Sequence, residues 1–463
     1  MTLPVSGAIS LNNVNVELGL SGTASINMGS AAVRGLFGVA SGAITMANGY
    51  GKSSGPNFQA IPAPANAGGV INYPGAAYLP DTGDGNGDVM FSGGVSGGMR
   101  YIQFGTNNRL STWGPGSPTS LQTLPSQQYN SGDRAFFAQP ITGTRKFVVV
   151  RENWLGYSAG QGLGVYSMDG SASAPVLVGG WTSYDGDQAD VAGLLMDATN
   201  PGNGMVVNTY SNSQYPLQAL WAYPFRVEAN NSITVHSPFA LNPYSVATPF
   251  CGGIYYGGRV VVRSNVGSQN YVCTAQMNAN GSLNSVGSPQ VPSGTSQSSG
   301  WNSDFACQSV FCLNGVWVVV YRDDSANPTQ RWMMSRITFS GNTMSFVNTV
   351  NTGLDMANAA RMQYKVGTGA SATANQIYIA CYDTNSYQTT PTEQVWEWTG
   401  SAFSKIYEKT GSGLLNSIVG FYSSKSNALP GPMPVQYTTN DNVIAQTSVG
   451  GGQNVQPSYW KHK

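Results

Sequence analysis

Residues 313–347, LNGVWVVVYRDDSANPTQRWMMSRITFSGNTMSFV, constrain the fold more than any other stretch of the chain. Asn314-Gly315 is a tight-turn dipeptide, made of residues that accept a positive φ. Residues 316–321 are a continuous β-branched and aromatic run, the pattern of a strand covered on both faces. A polar loop at 322–330 leads to a second strand at 332–339. Gly341-Asn342 turns the chain into a strand starting at Met344, and residues 308–313 supply a fourth strand upstream. Together these make one four-stranded antiparallel meander.

The unit recurs. Its central strands align at Tyr101, Val148, Val206, Val261, Val318, Tyr378 and Val435, separated by 47, 58, 55, 57, 60 and 57 residues. Outer turns recur at Asp169-Gly170, Asn230-Asn231, Asn280-Gly281, Gly341-Asn342 and Thr399-Gly400. A steady period of strand-only units is the signature of a propeller, one meander to a blade. The period exceeds the ~40–50 residues of common propeller repeats, so long loops take up the difference. The expected fold is mainly β: a seven-bladed β-propeller over 88–463, with six or eight blades also compatible because the end copies are degenerate. A string of β-sandwiches is the competing reading.

Charge narrows the function. Only 9% of residues are charged, and 21 Lys and Arg balance 21 Asp and Glu. Such a chain lacks the basic surface of a nucleic-acid binder and the basic face of a membrane-surface protein. Its apolar stretches are of strand length, so no membrane insertion is expected. The start MTLPVSGAIS has neither the basic nor the apolar region of a signal peptide. Cys251, Cys273, Cys307, Cys312 and Cys381 form no C-x-x-C pair. They read as buried thiols of a chain made in a reducing cytosol, with a Cys307–Cys312 disulfide left open. No metal set and no cofactor is expected.

Residues 1–53 form a separate module with an internal echo. Ser6-Gly7-Ala8-Ile9-Ser10-Leu11 returns as Ser41-Gly42-Ala43-Ile44-Thr45-Met46. Each copy reads as a short extended segment. Between them Ser30 is placed to cap a two-turn helix bearing Val33, Leu36 and Phe37 on one face. Ile9, Leu11, Val14, Val16 and Leu18 alternate imperfectly with polar residues. A segment this short is expected to hold little core of its own and to gain stability by docking.

The pieces Gly7-Ala8-Ile9-Ser10, Val16-Glu17-Leu18-Gly19, Ala32-Val33-Arg34, Ser41-Gly42-Ala43-Ile44 and Tyr50-Gly51-Lys52-Ser53 carry a resemblance. The segment 6–53 resembles an N-terminal module of many tailed-bacteriophage virion proteins, chiefly tail-associated ones. It covers about a tenth of the chain and departs from the pattern at Gly35 and Asn48-Gly49. The resemblance implies a structural component of the virion, such as a tail fibre or tail appendage. Residues 1–53 would then be the attachment module, contacting other tail proteins through Ile9, Leu11, Val14, Val16, Leu18, Val33, Leu36, Phe37 and Ile44. It further implies a homo-oligomer, with a trimer among the options. The closing Gly49–Ser53 run is no P-loop, because the position five residues before Gly51, where the motif needs a glycine, is Met46.

Residues 54–87 read as a Pro- and Gly-rich linker in which Pro62, Pro64 and Pro74 favour extended backbone. Within 81–88, Asp84, Asn86 and Asp88 have the i, i+2, i+4 spacing of a calcium loop, but the twelfth position, Val95, lacks the required glutamate, so a Gly/Asp turn is preferred. The final strands, around Val435 and 443–445, are expected to close the ring near 88–104, and Tyr459 and Trp460 to pack back on a blade.

In an antiparallel meander, the first and third connections emerge at one end, and the second connection and the link to the next blade at the other. The first set is short and rich in Gly and Asn. The second is long and carries Trp154, Tyr157, Trp181, Tyr184, Asp185, Asp187, Tyr215, Tyr244, Trp301, Asp323, Asp324, Asp383 and Tyr387. Aromatic rings stack on sugar faces and carboxylates accept hydroxyl protons, so these are candidate glycan-binding residues on loops of a rigid scaffold. The same rings would equally serve to plug loop bases against the blades.

Signs of catalysis are few. Only His236 and His462 could serve as imidazole bases, and His236 lies in an outer strand. The Asp-box pattern S-x-D-x-G-x-x-W is absent from the repeats. A glycoside hydrolase needs only two carboxylates, however. The expectation is a non-enzymatic virion protein that contacts host surface glycans. The alternatives are a depolymerase cleaving a host surface polysaccharide, or a purely architectural tail or capsid decoration.

Overall fold

The computed structural model describes residues 3–4, 6–18, 20–39, 41–50, 52, 57–60, 76–79, 89–92, 100–103, 122–123, 133–153, 161–168, 175–185, 190–209, 220–243, 250–266, 269–292, 310–323, 331–355, 364–371, 375–383, 392–410, 443–449 and 455–461. The chain divides into two compact units: Met1–Gln59 with Trp460–Lys463, and Ala60–Tyr459.

The antiparallel sheets are numbered here in chain order, and sheets 1 to 6 lie wholly in the larger unit. Sheet 1 runs Ala76–Leu79, Val89–Ser92, Arg100–Gln103 and Gln122–Thr123, and sheet 2 runs Asp133–Pro140, Lys146–Asn153, Gln161–Ser167 and Val176–Asp185. Sheet 3 runs Asp190–Met196, Asn203–Thr209, Leu220–Val227 and Ile233–Val235, with Phe239–Asn242 also pairing with its third strand. Sheet 4 is Phe250–Tyr256, Arg259–Val266, Gln269–Met277 and Leu283–Val286. Sheet 5 is Val310–Leu313, Val316–Asp323, Arg331–Ser340 and Thr343–Asp355. Sheet 6 is Tyr364–Ser371, Gln376–Asp383, Thr392–Trp398 and Phe403–Thr410. Sheet 7 is three-stranded, in the order Val443–Val449, Val455–Lys461, Asn57–Ala60.

The first strands of sheets 1 to 7 are neighbours in sequence order, and that of sheet 7 lies beside that of sheet 1. This cyclic order of meanders is a β-propeller, whose closure leaves only the short outer strands as edges. Apolar contact between sheets holds it together. Val148, Val150, Leu163 and Val165 of sheet 2 meet Val206, Tyr223 and Phe225 of sheet 3. Met205, Val207 and Leu220 of sheet 3 meet Val260, Val262 and Cys273 of sheet 4. A third cluster joins Ile254 and Val261 to Val318, Trp332 and Met334, and on to Ile377 and Ile379. Each fully buried side chain of this size contributes about 1.5–3 kcal/mol of transfer free energy.

The alignment of the repeats needs one correction. Tyr101 lies on the third strand of sheet 1, not the second. The second strand contains Met90, which is 58 residues before Val148, in step with the other separations. The Gly-rich flanks of the short strand Val89–Ser92 hid it. Val435, Asp169-Gly170 and Asp81–Asp88 lie outside the described residues. Two strands, Asn57–Ala60 and Ala76–Leu79, fall within the segment 54–87 read as linker. Cys273 is a buried free thiol and Cys312 is buried, while Cys307 lies outside the described residues.

The smaller unit departs from its reading as extended segments. The echoed residues Ser10 and Thr45 are helix N-caps. Ser10 precedes α1 (Leu11–Glu17), and Thr45 precedes a 3₁₀ turn at Met46–Gly49. In each, an asparagine three residues on, Asn13 or Asn48, accepts from the cap residue's backbone N–H, and Ser10 Oγ in turn accepts from Asn13 N. The glycines before them, Gly7 and Gly42, have φ of 86° and 84°, a conformation that glycine alone adopts freely. Ser30 caps α2 (Ala31–Phe37) as expected, with Val33 N donating to its hydroxyl. The module also has a core of its own: Leu3, Ile9, Val14, Val33, Leu36 and Phe37 are buried together, with Leu18 and Ile44 packed against them. Its ends are tied by Leu3 N donating to Lys52 O at 2.8 Å. Tyr50 Oη donates to Gly7 O (2.6 Å) and Arg34 Nη2 to Gly42 O (3.0 Å), so the two echoed turns are each closed by a side chain. Leu11 and Val16 are left exposed on α1.

Candidate functional site: the long-connection face

Strand order assigns the two ends of the propeller. Gly257-Gly258, Asn314-Gly315 and Gly341-Asn342 are two-residue turns between adjacent strands, and they share one end with 228–232, 278–282 and 399–402. Positive φ at Asn231, Gly258, Gly281, Asn314, Gly315, Gly341 and Gly400 is what lets these turns stay short. The opposite end carries the second connections, 154–160, 210–219, 324–330 and 384–391, and the links between sheets. Sheet 4 is an exception there, with only residues 267–268 in its second connection.

The aromatic candidates divide by position. Trp154, Tyr157, Tyr215, Tyr244, Trp301 and Tyr387, with Asp187 and Asp324, fall in these connections by chain position and lie outside the described residues. Trp181 and Tyr184 lie on a strand, the fourth of sheet 2, rather than on a loop. Trp181 sits above Gly162 and Gly164 of the neighbouring strand, where a Cβ at Gly164 would come 3.2 Å from its ring. The Arg151 guanidinium is 4.9 Å from that ring, and Tyr166 meets it edge-on. Tyr184 is buried against Tyr223 of sheet 3, with ring centroids 5.4 Å apart at 68°. Both rings therefore pack between elements of the scaffold, and their place in the strand pattern Val176–Asp185 is the signal that distinguishes them from loop aromatics.

The acidic candidates Asp185, Asp323 and Asp383 end strands that run toward the long connections. Sequence reasoning missed three more at the same end: Asp133 and Asp190 begin first strands, and Asp355 ends the fourth strand of sheet 5. An apolar or aromatic run followed at once by Asp (Tyr184-Asp185, Leu354-Asp355, Tyr382-Asp383) was the available signal. Register brings some of these together. Asp323, Arg331 and Asp355 share one row across sheet 5, and Asp383 is opposite Tyr364 in sheet 6. Among the described residues of the propeller, Asp197 is the aspartate at the other end. Its buried carboxylate accepts from Thr199 N and Oγ1, Asn200 Nδ2, Gly257 N and Gly258 N at 2.6–3.1 Å. That set ties the first turn of sheet 3 to that of sheet 4, a structural use.

Beneath the acidic strand ends lies a layer of buried polar groups, just above the Val-rich middle of the strands. Arg151, Asn208, Asn242, Arg263, Ser264, Tyr321, Thr352 and Gln394 belong to it. Asn242 Nδ2 donates to Ser264 Oγ (2.9 Å), and Gln394 Nε2 donates to Thr352 O (2.8 Å) while its Oε1 accepts from Trp396 Nε1 (2.9 Å). The hydroxyls of Tyr321, Ser335 and Thr349 form a chain with 3.0 and 2.7 Å steps. Hydrogen-bonded layers of this kind specify one arrangement of the elements they join. Here they fix the strand ends from which the long connections leave. Burial pushes the Cys273 thiol up to about 12, with the Ser264 hydroxyl opposing it slightly, so this thiol is no nucleophile. His236 Nε2 is 2.9 Å from Asn280 O at the short-turn end, remote in the strand order from the acidic ends. No group of three or more His, Cys, Asp or Glu side chains among the described residues is placed to hold a metal ion. No helix among them is long and apolar enough to cross a membrane.

Similar folds occur in a protein from Lactobacillus plantarum (12% identity, 77% of this chain and 86% of that one, TM-score 0.44) and in the periplasmic gluconolactonase of Pseudomonas aeruginosa (11%, 84% and 99%, 0.41). A polysaccharide lyase is similar at 8% identity over 86% of this chain and 91% of its own, with a TM-score of 0.40. No family model and no curated protein matches the chain.

Proposed function

We propose that the protein is a component of a tailed-phage particle. Residues 1–53 attach it to other tail proteins, and the long-connection face of the propeller contacts host surface glycans without cutting them. The observation that carries the attachment reading is the doubled, capped Gly7–Ser10 and Gly42–Thr45 turn. It lies in a module with its own core, in the segment that resembles virion attachment modules. Burial divides the nine candidate attachment residues: Leu11 and Val16 are free to meet a partner, while Val14, Val33, Leu36 and Phe37 act by shaping the module. Fusing residues 1–59 to an unrelated soluble carrier should bring the carrier into particles. A carrier that stays out of them rejects the attachment role.

The glycan reading rests on aspartates at the long-connection ends of the strands, combined with connections rich in Trp and Tyr. The expected result with host surface polysaccharide is retention of the protein, with no growth in reducing ends and no fall in chain length. Sustained turnover would assign the face to a depolymerase instead. The row Asp323–Arg331–Asp355 is the first place to seek the carboxylate pair such an activity needs.

A further inference from the structure

The short-turn end, which the proposed function does not use, carries a repeated contact. Sheet 2 meets sheet 3 where Lys146 Nζ donates to Asn231 Oδ1 at 2.8 Å. From sheet 3, Asn203 Nδ2 and Arg226 Nη1 both donate to Ala279 O at 3.1 Å, and His236 Nε2 reaches Asn280 O of the same turn in sheet 4. From sheet 4, Arg259 Nη2 donates to Gly341 O at 2.9 Å, with its guanidinium 4.1 Å over the Phe339 ring of sheet 5. Ser285 Oγ of sheet 4 also accepts from Asn342 Nδ2 at 2.8 Å. From sheet 5, Asn348 Nδ2 donates to Ser401 O of sheet 6 at 3.0 Å.

At these four successive interfaces, the group held is always the turn between the third and fourth strands of the following sheet. Those turns leave carbonyls to be held. In 278–282, Asn278 N bonds Ser282 O and Gly281 N bonds Asn278 O, so the carbonyls of Ala279 and Asn280 take no part in the turn. These acceptors sit in exposed turns, and the preceding sheet supplies side-chain donors to them. Asn348 has φ of 53°, a costly conformation for a residue other than glycine, at the irregularity that aims its side chain at Ser401. The apolar middles, by contrast, are near copies: Val148–Val150, Val260–Val262 and Val318–Val320 offer little to tell one neighbour from another. Each catch uses a different donor set.

We propose that these contacts are an interlock that couples each blade to the next at the short-turn end, so that opening one blade releases the outer turn of its successor. The test is hydrogen exchange of the full-length protein, read by mass spectrometry in segments of each sheet. In Arg259→Met, exchange at 340–343 should quicken about tenfold, as expected for losing a hydrogen bond from a charged group. The 228–232 turn and the Val260–Val262 strand should keep their protection. Ser285→Ala, which leaves Arg259 in place, should quicken the same segment by a smaller factor, and Asn348→Ala should act on 399–402 alone. Unchanged exchange at the held turn in these variants overturns the interlock. So does an equal loss of protection in every sheet, which would make the residues general contributors to stability.

Discussion

Two glycines separate the effects of space and of backbone conformation at the residue scale. Gly179 lies where a Cβ would come within 2.2 Å of Asn231 O and 2.8 Å of Val165 Cβ. Gly315 has φ of 89° but open space around the same atom. Gly179→Ala is expected to lower the unfolding free energy by about 2–3 kcal/mol through overpacking. Gly315→Ala should cost about 1 kcal/mol, from backbone strain alone. Equal costs in denaturant titrations would contradict this division. Cys273 gives a chemical test. Its thiol is raised to about 12 by burial, against ~8.5 for an exposed cysteine. A raised folded value means that the stability from keeping the thiol neutral is complete below ~8.5 and is lost as pH rises toward 12. Iodoacetamide at pH 8 should therefore leave Cys273 unmodified in the native protein and alkylate it in denaturant, as read by peptide mass. Native-state alkylation would refute its burial.

Helix caps and strand cores can be tested at the scale of elements. Ser10→Ala should destabilise the small module by about 1 kcal/mol, because it removes the acceptor of Asn13 N, whereas Thr45→Ala, which loses only a hydroxyl contact with Asn48 Oδ1, should cost less. Met334→Ala, at a fully buried position on the third strand of sheet 5, should cost about 2–5 kcal/mol. Legibility in the sequence followed how local the determining contacts are. Sheets 4 and 5 were readable because Gly257-Gly258, Asn314-Gly315 and Gly341-Asn342 mark their strand ends within a few residues. Asn57–Ala60 was not, because its sheet partner, Val455–Lys461, lies almost the whole chain away. In α1 the spacing of Leu11, Val14, Val16 and Leu18 imitated a strand, and the Ser10–Asn13 capping box decided for a helix. At the candidate site, strand-end aspartates were half visible. Asp185, Asp323 and Asp383 stood out beside aromatic loops, whereas Asp133, Asp190 and Asp355 emerge only once strand direction is known.

For the whole molecule, the cyclic order of first strands is read as seven blades, and a cryo-EM map of the protein should show seven, with six or eight contradicting the reading. Strand Asn57–Ala60 gives a second whole-chain prediction. Chains starting at Ser54 and at residue 61 differ by that strand, which borders Val455–Lys461 in sheet 7. The shorter chain should melt several degrees lower, as an exposed edge replaces a paired one. The central claim, attachment through the N-terminal module, is tested most directly by supplying the chain that starts at Ser54 in place of the full-length protein during particle assembly. The expected result is a soluble, cooperatively melting propeller that is missing from the particles. Incorporation at the level of the full-length chain would contradict the account.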